Sequence, residues 1–416
     1  LDQDASAAPG RPPSAFAYAA FRIYWMARFL NGFATQIVSV AVGWQIYDET
    51  RNAFLLGLVG LVQFAPAIVF VLVTGTVADR YNRRAVMGLT IALEALSVAA
   101  LAAFWIWHAA RAGAQGSVWP VFVILTLFGV ARAFLTPAVQ SLAANIVPRE
   151  SFANAVAWNS SAMQASFTVG PAVGGLLYGL SSNVPYAVAF VLFAAAAVLT
   201  RFIPKPAQKT TSEPRSFETM LAGFRYIRNN PVVLGAISLD MFAVLLGGAT
   251  ALLPVYARDI LDVGPWGLGF LRSAAGVGAL VMVVWLVRNP IPDHAGKVMF
   301  VSVAIFGVAI VVFGLSTTLW ISLPALFVMG AADMVSVNVR STLIQLATPD
   351  DLRGRVTAVN SVFIGASNEV GEFRAGTMAA LIGAVPAVVV GGVGTLAITA
   401  FWTRLFPALY HTRKLT

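Results

Sequence analysis

The sequence predicts an all-α polytopic membrane protein, with about twelve transmembrane helices in two parallel, pseudo-repeated six-helix bundles. Three observations predict it. The 416-residue chain is 58% hydrophobic and 11% charged, whereas a soluble domain carries about 25% charged residues. Apolar runs of the roughly 20 residues that a bilayer crossing needs recur along its length. Lys and Arg gather in alternate loops, the bias that fixes which loops stay cytoplasmic.

The spans are expected near residues 21–47, 54–77, 85–108, 119–142, 155–180 and 184–203, then 231–257, 266–288, 298–315, 319–342, 356–382 and 385–406. This divides the chain into an N-terminal tail (1–20), a first bundle (21–203), a polar linker (204–230), a second bundle (231–407) and a C-terminal tail (408–416). With the N-terminus inside, Arg80, Arg83, Arg84, Arg149, Arg288, Lys297, Arg353, Arg355, Arg413 and Lys414 are cytoplasmic. So are the linker residues Lys205, Lys209, Arg215, Arg225 and Arg228. Only Arg51, Arg111 and Arg258 fall outside, so both termini and the linker are placed in the cytoplasm. The Pro/Ala/Ser-rich start runs straight into a full-length first span, and no cleavable signal peptide is expected.

An internal repeat supports the two-bundle arrangement. Pro148-Arg149-Glu150 precedes Asn159-Ser160, and Pro349-Asp350-Asp351 precedes Asn360-Ser361, at a displacement of 349 − 148 = 201. Gly129 and Gly330, Gly170 and Gly371, and Gly175 and Gly376 share that displacement. Earlier in each half it is 269 − 57 = 212, which matches Leu56-Gly57 to Leu268-Gly269 and Val86-Met87 to Val298-Met299. An even number of spans per half makes the repeats parallel, with a substrate site expected between them at mid-membrane.

Several chemistries are excluded. There is no cysteine, so no disulfide or thiolate metal site. The three histidines lie at span ends or in loops, and no metal site or cofactor is expected. The net charge of +9 follows the loop alternation rather than forming a nucleic-acid surface. No G-x-x-x-x-G-K-[ST], G-x-S-x-G or H-E-x-x-H is present, which argues against ATP-driven pumping and against an enzyme.

The chemistry is expected at ionisable residues inside spans, which are costly there and mark ion or substrate pathways. These are Arg28, Glu94, Arg132, Asp240, Arg272, Asp333, Arg340, Glu369, Glu372 and Arg374. At the 201 displacement Arg132 corresponds to Asp333, and at 212 Arg28 corresponds to Asp240. Such pairs are read either as ion pairs clasping the halves or as bridges that break and form during transport. Glu369 and Glu372 share a helix face. Two carboxylates held that close favour keeping a proton on one of them. The other reading is that Arg374 neutralises one and the second caps a kink at Gly371. Asp333, Glu369, Glu372 and Glu94 are the proton-coupling candidates, with Arg132 and Arg374 as modulators and Arg28 with Asp240 as a gating pair. Arg272 and Arg340 join the charge partners.

Polar stripes indicate a cavity. Arg28, Asn31, Thr35 and Ser39 step by three and four along the first span, as Asp333, Ser336 and Arg340 do in the tenth. Candidate cavity residues are Asn31, Thr35, Trp44, Trp158, Gln164, Ser336 and Asn368.

Two motifs then point to a family. The loop Gly75-Thr-Val-Ala-Asp79-Arg80-Tyr-Asn-Arg83-Arg84 resembles the G-x-L-A-D-R-x-G-R-[KR] loop between the second and third helices of the major facilitator superfamily. Val77 stands for its leucine and Asn82 for its second glycine. The resemblance implies a cytoplasmic latch formed by Gly75, Asp79, Arg80, Arg83 and Arg84. Gly170-Pro171-Ala-Val-Gly174-Gly175 is similar to the G-P-x-x-G-G element of superfamily antiporters, where small residues allow close packing and proline a bend. Val147-Pro148-Arg149-Glu150, Ala153-Asn154-Ala155, Asn159-Ser160 and Asn368-Glu369-Val-Gly371-Glu372-Phe373 look like the branch of enterobactin exporters and macrolide-efflux proteins. That branch implies export of a siderophore or amphipathic drug from the cytoplasm across the bacterial inner membrane, in exchange for protons, by a monomer. A lysophospholipid carrier, a multidrug facilitator and a transporter-like receptor are the alternatives.

Overall fold

A bilayer offers no partner to a free peptide group, so each span must satisfy its own backbone. The chain answers with helices. The computed structural model describes residues 14–110, 117–204, 217–289, 291 and 293–413. The side chains of Leu72, Asp79, Ala144, Arg149, 217–220 and Asp351 also lie outside the described residues. The expectations for Lys205, Lys209, Arg215, Arg111, Lys414 and the acid of the Gly75–Arg84 loop therefore fall outside what is described.

The first six expected spans correspond to α1 (Ala19–Thr50), α2 (Ala53–Val69) continued by α3 (Val71–Arg80), α4 (Arg83–Ala110), α5 (Trp119–Ile146), α6 (Phe152–Leu180) and α7 (Val184–Thr200). A linker helix, α8 (Phe217–Asn229), follows. The second six are α9 (Pro231–Gly247) with the short α10 (Leu253–Val255), α11 (Gly264–Arg288), α12 (Ala295–Leu315), α13 (Leu319–Ala347), α14 (Asp350–Ile382) and α15 (Ala384–Leu405). A last turn, α16 (Pro407–Tyr410), ends the described chain.

Local signals set the boundaries. α1 stops at Arg51, which adopts a left-handed conformation (φ 51°) and bonds back to the Tyr47 carbonyl. Asn52 caps α2 by accepting from the Phe54 amide. The second span is interrupted at Phe70, and Pro66 inside α2 leaves the Val62 carbonyl, four residues before it, without its helical donor. Hydroxyls within spans donate to carbonyls four residues earlier, as Thr35 does to Asn31 (2.9 Å) and Thr399 to Thr395 (2.7 Å). That makes single Ser and Thr residues inexpensive at membrane depth.

The seventh span corrects the expectation of a continuous helix over 231–257. α9 ends at Gly247, irregular backbone and a 3₁₀ turn follow to Leu252, and a π-helical turn runs from Tyr256 to Ile260. Non-helical backbone is tolerated at that depth only where it borders a cavity or protein, and residues 247–251 do border one. Arg374 of α14 supplies the missing donors: Nε bonds the Leu245 carbonyl at 2.9 Å and Nη2 the Leu246 carbonyl.

Helices α1, α2 and α4–α7 pack among themselves, as do α9 and α11–α15, and the two sets meet where α2 touches α14 and α6 touches α11. Glycine makes both seams possible. A Cβ on Gly57 of α2 would lie 2.9 Å from the Phe373 Cα, and one on Gly175 of α6 would lie 2.9 Å from the Gly269 Cα. Backbones approach that closely only where side chains are absent. Seven described helices meet a length and hydropathy standard for crossing a membrane; α2 and α7 are shorter apolar helices. The long helices α1, α6 and α14 are not among the seven because polar residues interrupt them, and these are helices that border the cavity.

Candidate functional site

Between the two sets lies a cavity of about 540 Å³. Its wall is unusually polar for this chain. α1 contributes Thr35, Gln36 and Ser39, α2 Gln63, α5 Arg132, and α6 Gln164. From the other half come Arg272 of α11, Asp333 and Arg340 of α13, Asp240 of α9, and Asn368, Glu369 and Glu372 of α14. Phe128, Phe167 and Phe306 add apolar surface. A space with both charge signs and aromatic faces suits a molecule with a polar and an apolar part.

Hydrogen bonds cross the cavity at its edges. Arg272 Nη1 donates to Ser39 Oγ at 2.6 Å, and Gln164 Nε2 to the Gly276 carbonyl at 3.2 Å. Thr250, in the broken seventh span, donates to Glu372 Oε1 at 2.9 Å. Arg132 is exposed within the cavity and lies within electrostatic reach of Glu94 behind it and Glu369 across from it.

The cavity is closed at the end that carries Arg51, Ser181 and Asp262. Beyond the two glycine seams, Asp48 pairs with Arg258 at 2.5 Å and Arg51 with Asp259 at 3.0 Å, each joining one half to the other. Tyr47 donates to Asp259, and the Arg258 guanidinium lies 5.5 Å from the Trp44 ring centre. A second cavity, of about 320 Å³, sits among these groups. Toward the opposite end Thr136, Ser160, Asn338 and Ser361 of α5, α6, α13 and α14 are exposed.

Most sequence-selected charges reach the main cavity, but their partners differ from those expected. Asp240 is bound by Arg340 of its own half, not by Arg28; the side chains of that buried pair are 7% and 3% exposed. Arg28 instead donates to Met163 Sδ at 3.3 Å and Asn159 Oδ1 at 3.5 Å. Arg132 and Asp333 line the same cavity without an ion pair between them among the described residues. Arg374 neutralises neither carboxylate, because its guanidinium caps the broken end of α9. Glu94 is 1% exposed and lies behind the cavity wall, held by Asn31 Nδ2; its Oε1 has no partner.

Four cavity candidates lie elsewhere. Asn31 serves Glu94. Ser336 is buried away from the cavity. Trp44 belongs to the clasp at the closed end. Trp158 is 40% exposed and packs on Phe16, while its carbonyl accepts from Trp25 Nε1. Thr35, Gln164 and Asn368 do line the cavity, as does Pro171. Gly170 packs on Gln36 and Gly174 on Ile37 of α1, while Gly175 serves the α6–α11 seam. In the Gly75–Arg84 segment, Arg83 bonds the Ala78 and Ser141 carbonyls (3.1 and 3.4 Å), and Arg84 the Ile203 carbonyl at 2.8 Å. These contacts stay within the first half. Gly75 is buried and Arg80 exposed.

The clasp was missed by reasoning from the sequence, although the repeat contained a signal. Tyr47 and Asp259 are separated by 259 − 47 = 212, the displacement that relates the two halves, and they touch. Among the described residues no group of three or more His, Cys, Asp or Glu could hold a metal ion.

Two helix sets around a polar cavity that is closed at one end are the architecture of a membrane transporter that works by moving its halves. The chain belongs to the Major Facilitator Superfamily, which matches residues 24–372. Among similar proteins are macrolide efflux protein A of Streptococcus pyogenes, 23% identical over 384 residues (87% of this chain and 90% of that protein), and the enterobactin exporter of Escherichia coli strain K12, 24% identical over 405 residues (95% and 94%). Among solved structures, a bacterial homologue of the human lysosomal transporter Spinster in an inward-facing, occupied conformation matches with a TM-score of 0.71. The match is 14% identical and covers 96% of this chain and 97% of that one. An inward-facing bacterial homologue of the iron transporter ferroportin matches at 0.69, with 16% identity and 94% and 98% coverage. At those identities the structural likeness concerns the fold.

Proposed function

We propose that this transporter exports a siderophore or a similarly amphipathic small molecule from the cytoplasm by alternating access, in exchange for protons. One observation carries the reading. Three carboxylates, Asp333, Glu369 and Glu372, line the cavity without an ion pair among the described residues, and intramembrane acids of that kind belong to proton or substrate pathways. The names of the relatives agree on outward transport of a bulky molecule. Arg132 and Arg272 on the wall offer guanidinium partners to an anionic or catechol-bearing cargo, which is the cargo proposed here over a lipophilic cation. In this reading the protein sits in a bacterial inner membrane with both termini inside, an orientation that the loop distribution of Lys and Arg supports, and acts as a monomer.

Flux from proteoliposomes under an imposed pH gradient tests this, with a catecholate siderophore and a macrolide as cargo. Gradient-driven flux is expected, and is lost in at least one of Glu369→Gln, Glu372→Gln and Asp333→Asn. Flux indifferent to the gradient and to all three substitutions overturns the exchange. Tighter binding of lipophilic cations than of siderophores overturns the choice of cargo.

A further inference from the structure

The linker helix α8 has one stripe docked on the protein and one without a protein partner. The docked stripe lies at the end of the molecule opposite the clasp. Gly223 rests on α14, where a Cβ would lie 2.8 Å from the Arg355 carbonyl oxygen. Tyr226 donates to the Ala347 carbonyl at the end of α13, and Ile227 is buried among Val233, Ile344 and Val356. Asn230, just before α9, accepts from the Val232 and Val233 amides and donates to the Tyr226 hydroxyl at 3.3 Å. These contacts with the ends of three spans hold α8 across them, where the chain enters the seventh span.

The outer stripe is Leu221, Phe224, Arg225 and Arg228, the i, i+3, i+4, i+7 spacing of a single helix face. All four are exposed, Leu221 and Phe224 at 45% each. Each apolar side chain has an arginine one turn further on, Leu221 before Arg225 and Phe224 before Arg228. Neither arginine has an ion-pair partner among the described residues. Asp350, at the start of the neighbouring α14, is taken by Arg353 at 2.6 Å. With 13 residues, α8 is too short to cross a bilayer, which takes about 20.

We infer that α8 is an interfacial lipid site: it lies along the leaflet at the end opposite the clasp, with Leu221 and Phe224 inserted and Arg225 and Arg228 on the phosphates of anionic phospholipid. Water solvates guanidinium groups but gains nothing from the apolar pair, and a hydrocarbon core does the reverse. A negatively charged interface takes both, with apolar side chains at the acyl boundary and guanidinium groups on phosphate oxygens. Position agrees with chemistry, because α8 ends at Asn229 and the seventh span begins at Pro231. The docked stripe makes the anchor part of the second half. That leaflet is the cytoplasmic one in the orientation proposed above, but the contact itself needs neither that orientation nor any cargo.

The chain has no cysteine, so one nitroxide on Leu221→Cys reports on this face with Phe224 and both arginines in place. Its collisions with oxygen, which concentrates in lipid, and with a neutral, water-soluble nickel chelate are compared in two liposomes. One is phosphatidylcholine alone, the other phosphatidylcholine mixed with phosphatidylglycerol. The anionic lipid is expected to raise oxygen collisions and lower nickel collisions, the inserted-to-exposed ratio growing by roughly fivefold per arginine. High salt is expected to shrink the difference. Arg225→Gln with Arg228→Gln is expected to abolish it, and Arg225→Lys with Arg228→Lys to keep it. All these positions are exposed, and monodisperse elution shows that each variant is folded. A label equally inserted in both liposomes, or equally exposed to nickel in both, overturns the site; the second result leaves the face to water or to another protein. A lipid response that survives in the double Gln variant overturns the role of the arginines. Inorganic phosphate that reproduces the response in phosphatidylcholine alone assigns them to a soluble anion and overturns it too.

Discussion

The buried Asp240–Arg340 pair makes a quantitative prediction. Its side chains are 7% and 3% exposed, so solvent screening is slight. Arg340→Leu leaves Asp240 buried without its counter-ion, and breaking a buried pair from one side costs about 3–5 kcal/mol. The unpartnered Arg340 Nε means the pair is incompletely satisfied, which points to the lower end, about 3 kcal/mol. Asp240→Leu strands the guanidinium and is expected to cost a similar amount. The double variant Asp240→Leu/Arg340→Met strands nothing. It is expected to lie within about 1 kcal/mol of wild type, since apolar replacements of such pairs are often neutral or better. The assay is thermal unfolding in one detergent for all four proteins, with the coupling taken from the cycle. If the two single losses simply add in the double variant, the two residues do not act as a pair and the reasoning fails. Transport by a stable double variant would further show that the pair is structural, whereas a stable but inactive one would place it in the mechanism.

Two further predictions use contacts that the sequence reading had assigned otherwise. Arg374→Met removes two charge-assisted hydrogen bonds to the Leu245 and Leu246 carbonyls, worth roughly 1.5–3 kcal/mol each. Adding Glu372→Gln is expected to rescue none of that loss in thermal unfolding; rescue would mean that Arg374 is the acid's counter-ion after all. At the closed end, Asp48→Asn with Asp259→Asn removes both cross-half pairs. Arg51 is 51% exposed and Arg258 27%, so each pair is worth at most about 1 kcal/mol. Together the two pairs supply at most about 2 kcal/mol, so the population in which spin labels at Ser181→Cys and Leu381→Cys, one on each half at the closed end, lie far apart should grow by up to roughly thirtyfold, and the wild-type population should move the same way in high salt. An unchanged distance in both experiments would show the clasp to be ornamental.

The fold was legible in the chain because lipid imposes its constraint directly on sequence: each span must be long, apolar and self-bonded. The site was legible only in part, and the failures share a physical cause. An internal repeat relates equivalent places in two halves, and equivalent places lie on opposite sides of the pseudo-symmetry axis. Arg28 and Asp240 are equivalent and far from being partners, whereas Tyr47 and Asp259 are equivalent and touch, because the ends of the first and seventh spans converge near that axis. Charge complementarity at a repeat displacement is therefore informative only near the axis, and sequence alone does not say which residues are there. The polar stripe of α1 fails for a related reason. α1 is packed between α6 and α7, so Thr35 and Ser39 look into the cavity while Asn31, one turn away, looks at Glu94 of α4. The break after Gly247 had a signal, the Gly247-Gly248 pair followed by Pro254 inside an apolar run, but glycine pairs also serve helix packing. What decides between those uses is whether a donor such as Arg374 lies nearby in space to take the freed carbonyls. That residue is 128 positions from Leu246, and only the folded helices bring the two together.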